Sequence, residues 1–516
     1  MKTMRFFPLL KKNIKTMVLL SAWVLIVLTW IAWRSDGTGG RPLVIIWGDD
    51  PGEYDPQRTS HPIAEDVFRH VCEPLFYEDS EGVLHGLLAE DNIEYETNGK
   101  QFTIHLRAEI SFHNGTRLDA QTVQASFERL KLLGVSPLLN KLRDVTVIAR
   151  PDGRSITFSL PEPDFEFPRL VLSNPYAAIV SIPIENSSSL EWVNCTGPYR
   201  FAPELYQPDH SLTLVRNNAY HWPPEYFMNR EAANIPQIRF VFEVDQSTRL
   251  SNLIEGMGCI LSLSREDLST VTALPNFRLY QAMGGVTYIG FNFQYARWQD
   301  IRSRQAIALA INPYSLLEPG FRLAETPLTP NTIGFDPNIA SFGHNYDLKR
   351  SQALLSEINF DFNAEVVLLI PESNTYRQIA DMVQEQLNAA GLRNVLVREL
   401  PRTEILTERQ DFDLLLFDYA WGDYTAMEIF LGPGPRNVLG YGDNRIAELI
   451  KQARATAGIE QRQQLISEAQ RIIIEEIVWK PLIIREITFA VNGVCIAGER
   501  QAVTGELLFH DAESKP

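Results

Sequence analysis

The sequence predicts an α/β protein folded as two lobes, and three observations carry that prediction. The chain has 516 residues, more than one hydrophobic core usually organises. Segments of strand character alternate with segments of helical period along the chain. No repeat, low-complexity tract or long linker interrupts residues 41–510, so the lobes must be joined by short crossings rather than a tether.

The first forty residues differ in kind from the rest. Lys2, Arg5, Lys11, Lys12 and Lys15 precede Thr16 to Trp33, eighteen residues without a charge. At 1.5 Å per residue such a helix reaches about 27 Å, close to a bilayer core. Basic residues on its amino side orient it with everything after Arg34 outside the membrane. The bulky end, Thr29-Trp30-Ile31-Ala32-Trp33, reads as a retained anchor, with a cleaved signal peptide as the alternative. No cysteine stands near position 34, which argues against a lipoprotein anchor.

Removing the six positive charges of residues 1–34 from the net −17 leaves −23 on the exported part. That balance disfavours nucleic acid and anionic membranes as partners. It mildly suits cationic or zwitterionic ligands, although plain solubility is the simpler account of an acidic exported protein. The four cysteines, Cys72, Cys195, Cys259 and Cys495, form no C-x-x-C, which excludes zinc fingers and thioredoxin-type redox motifs. In an oxidising compartment three pairings are open if all four are used, and Cys195 with Cys259 is the bond expected.

Leu43 to Trp47 reads as a short buried strand after the glycine-rich joint at 36–40. Phe102 to Phe112 alternates apolar and polar residues, and Asn114-Gly115 then supplies a tight turn. A helix follows, capped by Asp119 and facing inward through Val123, Phe127 and Leu130. Later, Thr375 to Ala390 reads as a helix, Val395 to Leu400 as a strand, and Phe412 to Phe417 as a strand covered on both faces. Amphipathic helices are expected at Asn444 to Thr456 and Glu460 to Glu475.

Signatures of catalysis are absent. There is no G-x-S-x-G, H-E-x-x-H or G-x-x-x-x-G-K-[ST], and no G-x-G-x-x-G after a strand. The nine histidines are scattered, with no spacing that would converge on a metal, and His113 beside a turn reads as structural. No enzyme activity, cofactor or metal is expected.

Six segments, in chain order, carry a resemblance. They are "FTIHLRAEISFHNGTRLDAQTVQASFERL" from Phe102, "GPYRF" from Gly197 with "LTLVRNNAYHW" from Leu212, and "YIGFNFQ" from Tyr288. "DIRSRQAIALAIN" from Asp300, "NYDLKRSQALL" from Asn345 and the closing "VWKPLII" from Val478 complete them. Together they resemble the family 5 extracellular solute-binding proteins, the oligopeptide, dipeptide and nickel receptors of ABC transporters. The resemblance implies a type II periplasmic-binding-protein fold, α/β in two lobes closing on a ligand, with an extra subdomain in the first. It implies lobe I over 41–283 with an insert at about 59–174, lobe II over 284–486, and a return to lobe I over 487–516. The crossings would fall near Gly284-Gly285 and Arg485-Glu486.

Asp423 is the candidate site residue. It follows the strand at 412–417 by a short connection, and ligands of open α/β sheets lie beyond the carboxyl ends of strands. Thr425 to Glu428 reads as a capping box, which would leave Asp423 free among Tyr419, Trp421 and Tyr424 to meet a cation. A helix cap or structural ion pair is the alternative. In peptide-binding members of the family, an aspartate of a G-W-x-x-D-[YN] segment meets the ligand's α-amino group. Trp421-Gly422-Asp423-Tyr424 is similar, with the tryptophan one place closer.

The ligand-binding residues expected are Asp423, Trp421, Tyr424, Tyr419, Tyr288 and Asn292, with Trp298 a further aromatic candidate, although burial in the core is the plainer role for any single aromatic. Departures from the family pattern include Phe417, where some oligopeptide binders carry an arginine for the ligand's carboxylate, and Ala426-Met427, Cys259 and Ile93 at other positions. They leave the ligand's length open. The expected function is capture of peptides or similar small cationic ligands outside the cytoplasm and delivery to an ABC permease, by a monomer tethered at 16–33. A nickel-complex or other non-peptide receptor, a membrane-anchored sensor and an unseen hydrolase are the alternatives.

Overall fold

The computed structural model describes residues 41–79, 82–181, 193–407, 411–419, 422–502 and 505–515. The expected membrane segment lies outside them. Among the described residues no helix is long and apolar enough to cross a membrane.

Strands are numbered along the chain. The first part holds β1 (Leu43–Trp47), β2 (Phe76–Glu78), β3 (Leu84–Gly86), β4 (Ala89–Glu96), β5 (Gln101–Leu106), β6 (Thr146–Ala149) and β7 (Ser155–Ser159). The middle holds β8 (Tyr199–Phe201), β9 (Ser211–Arg216), β10 (Gln237–Phe242), β11 (Ile260–Leu263), β12 (Phe277–Phe291) and β13 (Phe321–Leu323). The last are β14 (Val366–Pro371), β15 (Val395–Leu400), β16 (Leu414–Tyr419) and β17 (Trp479–Asn492).

β12 and β17 pair antiparallel along most of their length, from Phe277 opposite Asn492 to Gly290 opposite Trp479. Their register shifts between Met283 and Val286, at Gly284-Gly285. A Cβ at position 284 would lie 2.9 Å from the Arg485 carbonyl oxygen, so the close backbone approach requires glycine. From this pair the hydrogen-bonded order runs outward one way through β11-β1-β10-β9-β8 and the other way through β16-β14-β15, with β13 added to β17. These two wings, with their helices, are the lobes.

β1 lies parallel between β10 and β11, which explains its unbroken apolar run. In the other wing, helix Asn374–Ala389 links β14 to the parallel β15 and buries Tyr376, Ile379, Val383 and Leu387. β16 starts two residues later than its apolar run. Asp413 is used ahead of the ladder, where its carboxylate accepts the Trp298 indole N–H at 2.8 Å and the Val367 amide at 2.9 Å. The last two helices are Arg445–Arg454 and Ile459–Glu475.

A separate antiparallel sheet, β4-β5-β7-β6, is covered by helix Ala120–Leu133. Asp119 caps that helix by accepting the Thr122 amide at 2.7 Å. Phe102 stacks on Phe158 at 5.1 Å, and Phe127 meets Phe158 edge-on at 5.5 Å. β5 ends at Leu106 rather than running to Phe112, because Glu109 takes a left-handed φ of 68°. Ile110 and Phe112 are still buried, beyond that turn.

The disulfide joins Cys72 to Cys195, 123 residues apart, not Cys195 to Cys259. Backbone pairing decides this: the Gly197 amide donates to Val71 O and the Tyr199 amide to His70 O, laying the two cysteine segments side by side. Cys259 sits at the start of β11, where its amide donates to Val44 O. Beside the bond, the buried Glu73 carboxyl accepts Tyr220, Trp222 and Thr196 at 2.5, 3.0 and 2.8 Å. Burial nevertheless pushes its pKa from 4.5 up to about 7.

Replacing Cys72 and Cys195 by alanine is expected to cost about 4 kcal/mol of unfolding free energy in urea titrations, from the long loop the bond closes. Because folded Glu73 holds its proton above the pKa of the unfolded chain, its contribution falls as pH rises from about 4.5 through about 7. Glu73→Gln should flatten that part of the profile of melting temperature against pH.

Candidate functional site

β16 leaves the core at Tyr419, and the chain returns through Gly422 and Asp423 into helix Thr425–Leu431. The Ile333 amide donates to Gly422 O at 3.4 Å and helps fix this return. Asp423 therefore lies beyond the carboxyl end of β16, and it is 8% exposed. Its Oδ1 accepts the Thr425 amide at 2.8 Å and also the Thr425 hydroxyl. The expected roles of these two residues are thus reversed. No side chain caps the helix at Tyr424, and Asp423 is the local acceptor, because an aspartate readily accepts the amide two residues on.

This arrangement turns Oδ2 away from the helix. Its partner is Lys141 Nζ at 3.2 Å, 282 residues earlier in the chain. Lys141 stands on the four-residue helix Leu139–Leu142, beside the β4–β7 sheet. The site therefore joins the β16 wing to the segment that carries the β4–β7 sheet.

Three further ion pairs join the same two bodies. Glu162, Asp164 and Glu166 meet Lys451 at 2.7 Å, Arg454 at 3.5 Å and Arg462 in turn, and the Phe165 amide donates to Arg454 O at 2.8 Å. Burial raises the Asp164 carboxyl to about 6, with Arg454 and Lys141 pulling it down and Asp423 and Glu428 pushing it up. Glu428 is raised by burial against the pull of Arg454 and Lys141. Glu78 is raised by burial against Arg169, with Asp423 adding to the rise. Five carboxyls, of Glu78, Glu162, Asp164, Asp423 and Glu428, thus share four cations, Lys141, Arg169, Lys451 and Arg454. The excess of acid favours one more cation.

Tyr288 and Tyr419 come together, stacked at 5.4 Å, and Trp479 stacks on Tyr288 at 4.7 Å. With Gly284, Gly285 and Thr329 they line a cavity of about 20 Å³, room for about one water. The Trp479 indole N–H is buried there without a hydrogen-bond partner. Ala426, three residues after Asp423, lines the same cavity.

The other expected residues are placed elsewhere. Asn292 donates to Phe412 O at 2.8 Å and accepts the Gln294 amide. It fastens the opposite end of β16, about 17 Å along the strand from the Asp423 end. Tyr424 is fully buried, and a Cβ on Gly334 would sit 3.1 Å from its ring. Trp298 is also in the core. Trp421 lies outside the described residues.

A second charged cluster closes the same end of the sheet. Asp418, 1% exposed, receives Arg402 at 2.6 Å, Tyr376 OH at 2.5 Å, and Arg485. Burial alone would raise its pKa, but the two guanidiniums and the hydroxyl outweigh burial and hold it low. Arg402 also lies 4.2 Å over the Phe417 ring. Lys141, Arg402 and Asp164 were missed in the sequence, since each meets its partner through tertiary contact and no spacing marks it.

The fold is that of the two-lobed α/β periplasmic-binding proteins. The model of the bacterial extracellular solute-binding proteins, family 5 (Middle), matches residues 83–434, and the chain belongs to that family. Among its relatives is di/tripeptide-binding protein 2 of Pseudomonas aeruginosa (strain UCBPP-PA14), 26% identical and covering 84% of this chain and 87% of the relative. Glutathione-binding protein GsiB of Escherichia coli (strain K12) is 22% identical and covers 87% of this chain and 90% of its own length. The ABC transporter substrate-binding protein CtaP of Listeria monocytogenes shares the fold with a TM-score of 0.76 at 20% identity, over 92% of this chain and 100% of that one. Family membership makes this an extracytoplasmic solute-binding protein rather than an enzyme.

Asp418→Asn would leave Arg402 and Arg485 without their shared counter-charge. It is expected to destabilise the protein by about 3–5 kcal/mol in urea titrations, whereas Arg402→Lys, which keeps one charge, should cost less.

Proposed function

We propose that this protein captures short peptides with a free amino terminus between its lobes and presents them to an ABC permease. One observation carries the reading. Asp423 has one oxygen fixed by Thr425 and the other aimed out of lobe II, at an ammonium. A peptide's amino terminus has the same chemistry as the lysine head group found there. Tyr419, stacked over the buried Tyr288, would border the peptide beside it, and main-chain bonding would hold the rest. Arg402 and Arg485, two cations on one carboxylate, leave positive charge at the same sheet end for a ligand carboxylate. The names of the di/tripeptide- and glutathione-binding relatives support a small peptide.

In this reading lobe I spans 41–283 with the insert at about 59–174, lobe II spans 284–486, and 487–516 returns to lobe I. The register shift at Met283 to Val286 supports a crossing there. Closure needs no covalent step: a ligand that touches both lobes favours the closed arrangement. The protein acts as a monomer, tethered by residues 16–33 on the outer face of the membrane.

Asp423→Asn is expected to weaken binding of free-amine peptides by about tenfold to a hundredfold, the worth of a charge-assisted hydrogen bond, in isothermal titration. N-acetylated peptides should bind weakly and equally to both proteins. An unchanged affinity for free-amine peptides would favour a non-peptide solute instead.

A further inference from the structure

Lys141 supplies to Asp423 the same group that a peptide's amino terminus would bring. Its three N–H donors end a flexible four-carbon stem, whereas the arginines of the neighbouring pairs carry a rigid planar fork. It comes from a helix of four residues with no side-chain cap.

Contact between the subdomain and lobe II does not hang on this lysine. The Glu162–Lys451, Asp164–Arg454 and Glu166–Arg462 pairs and the Phe165–Arg454 backbone bond span the same junction. Departure of Lys141 would therefore leave the two bodies attached. It would also leave five carboxyls with three cations, Arg169, Lys451 and Arg454, a deficit that another positive group would relieve. Asp423 keeps its orientation meanwhile, because Oδ1 is held by Thr425 within its own lobe.

We propose that Lys141 is an internal occupant of the ligand's ammonium site, bound to Asp423 until the amino terminus of an incoming peptide displaces it. The proposal rests on the reading of Asp423 as the ammonium acceptor. It adds a function for a residue outside lobe II. Lys141 keeps Asp423 neutralised between ligands, and it sets a threshold that a ligand without a positive charge does not pass. A ligand's apparent affinity is lowered by the fraction of molecules in which the lysine holds the site.

The test is isothermal titration of the full protein with di-, tri- and tetra-alanine, free and N-acetylated, for the wild type, Lys141→Met, Lys141→Arg and Asp423→Asn. Melting curves run in parallel confirm folding. Lys141→Met is expected to bind the free-amine peptides about tenfold more tightly than wild type, because competition is removed while Asp423 remains. Lys141→Arg should stay near wild type. If Lys141→Met does not fold, Lys141→Gln carries the same expectation with a neutral donor.

Equal or weaker binding by Lys141→Met, where Asp423→Asn does weaken binding, overturns this inference alone and makes Lys141 a structural pair or a ligand contact. Unchanged binding by Asp423→Asn overturns the ammonium reading, and this inference with it. Binding of none of these peptides by any variant overturns the peptide reading itself.

Discussion

The antiparallel ladder between β12 and β17 is the constraint on which the rest of the structure depends. Both lobes hang from the same two strands, so each contributes part of its sheet to one continuous hydrogen-bonded path. An extra residue in one strand disrupts the ladder locally and bends the strand. That interruption is at Gly284-Gly285, with the Arg485 backbone pressed against it. Tyr288 and Trp479 line the cavity beside it, and Arg485 anchors Asp418 on the neighbouring β16. The interrupted stretch of the ladder and the Tyr288–Trp479 cavity are therefore built from the same few residues.

The segment that carries the separate β4–β7 sheet adds a second, polar junction. Three acidic residues at alternate positions, Glu162, Asp164 and Glu166, face bases on the last two helices, and Lys141 reaches Asp423 beyond them. Ion pairs of this kind contribute little each when exposed and are costly to leave half-made when buried. The same acids give the cleft its negative balance, a local form of the acidity seen in the whole chain.

Much of the framework was legible because it is local. The buried strand at Leu43–Trp47, the Asp119 cap, the helix near 375–390 and the strand at 395–400 each follow from periodicity and capping chemistry within one segment. Asp423 could be singled out for the same reason, as a carboxylate just past a buried strand. What it touches was not legible. Thr425 competes with Asp423 for one role, and local pattern favoured the wrong partner. Lys141 lies 282 residues away, and the Cys72–Cys195 bond depends on backbone pairing between distant segments. Tyr424 shows the remaining difficulty: an aromatic beside a site residue points into the core as readily as into the cleft.

The central claim is that a carboxylate at the junction of lobe II and the inserted subdomain selects a solute for its free ammonium group. The most direct measurement is mass spectrometry of the solutes retained by the purified protein after incubation with paired short peptides, each present in free and N-acetylated form. The account predicts retention of the free-amine member of each pair. Equal retention of both members, or retention of neither, would contradict it.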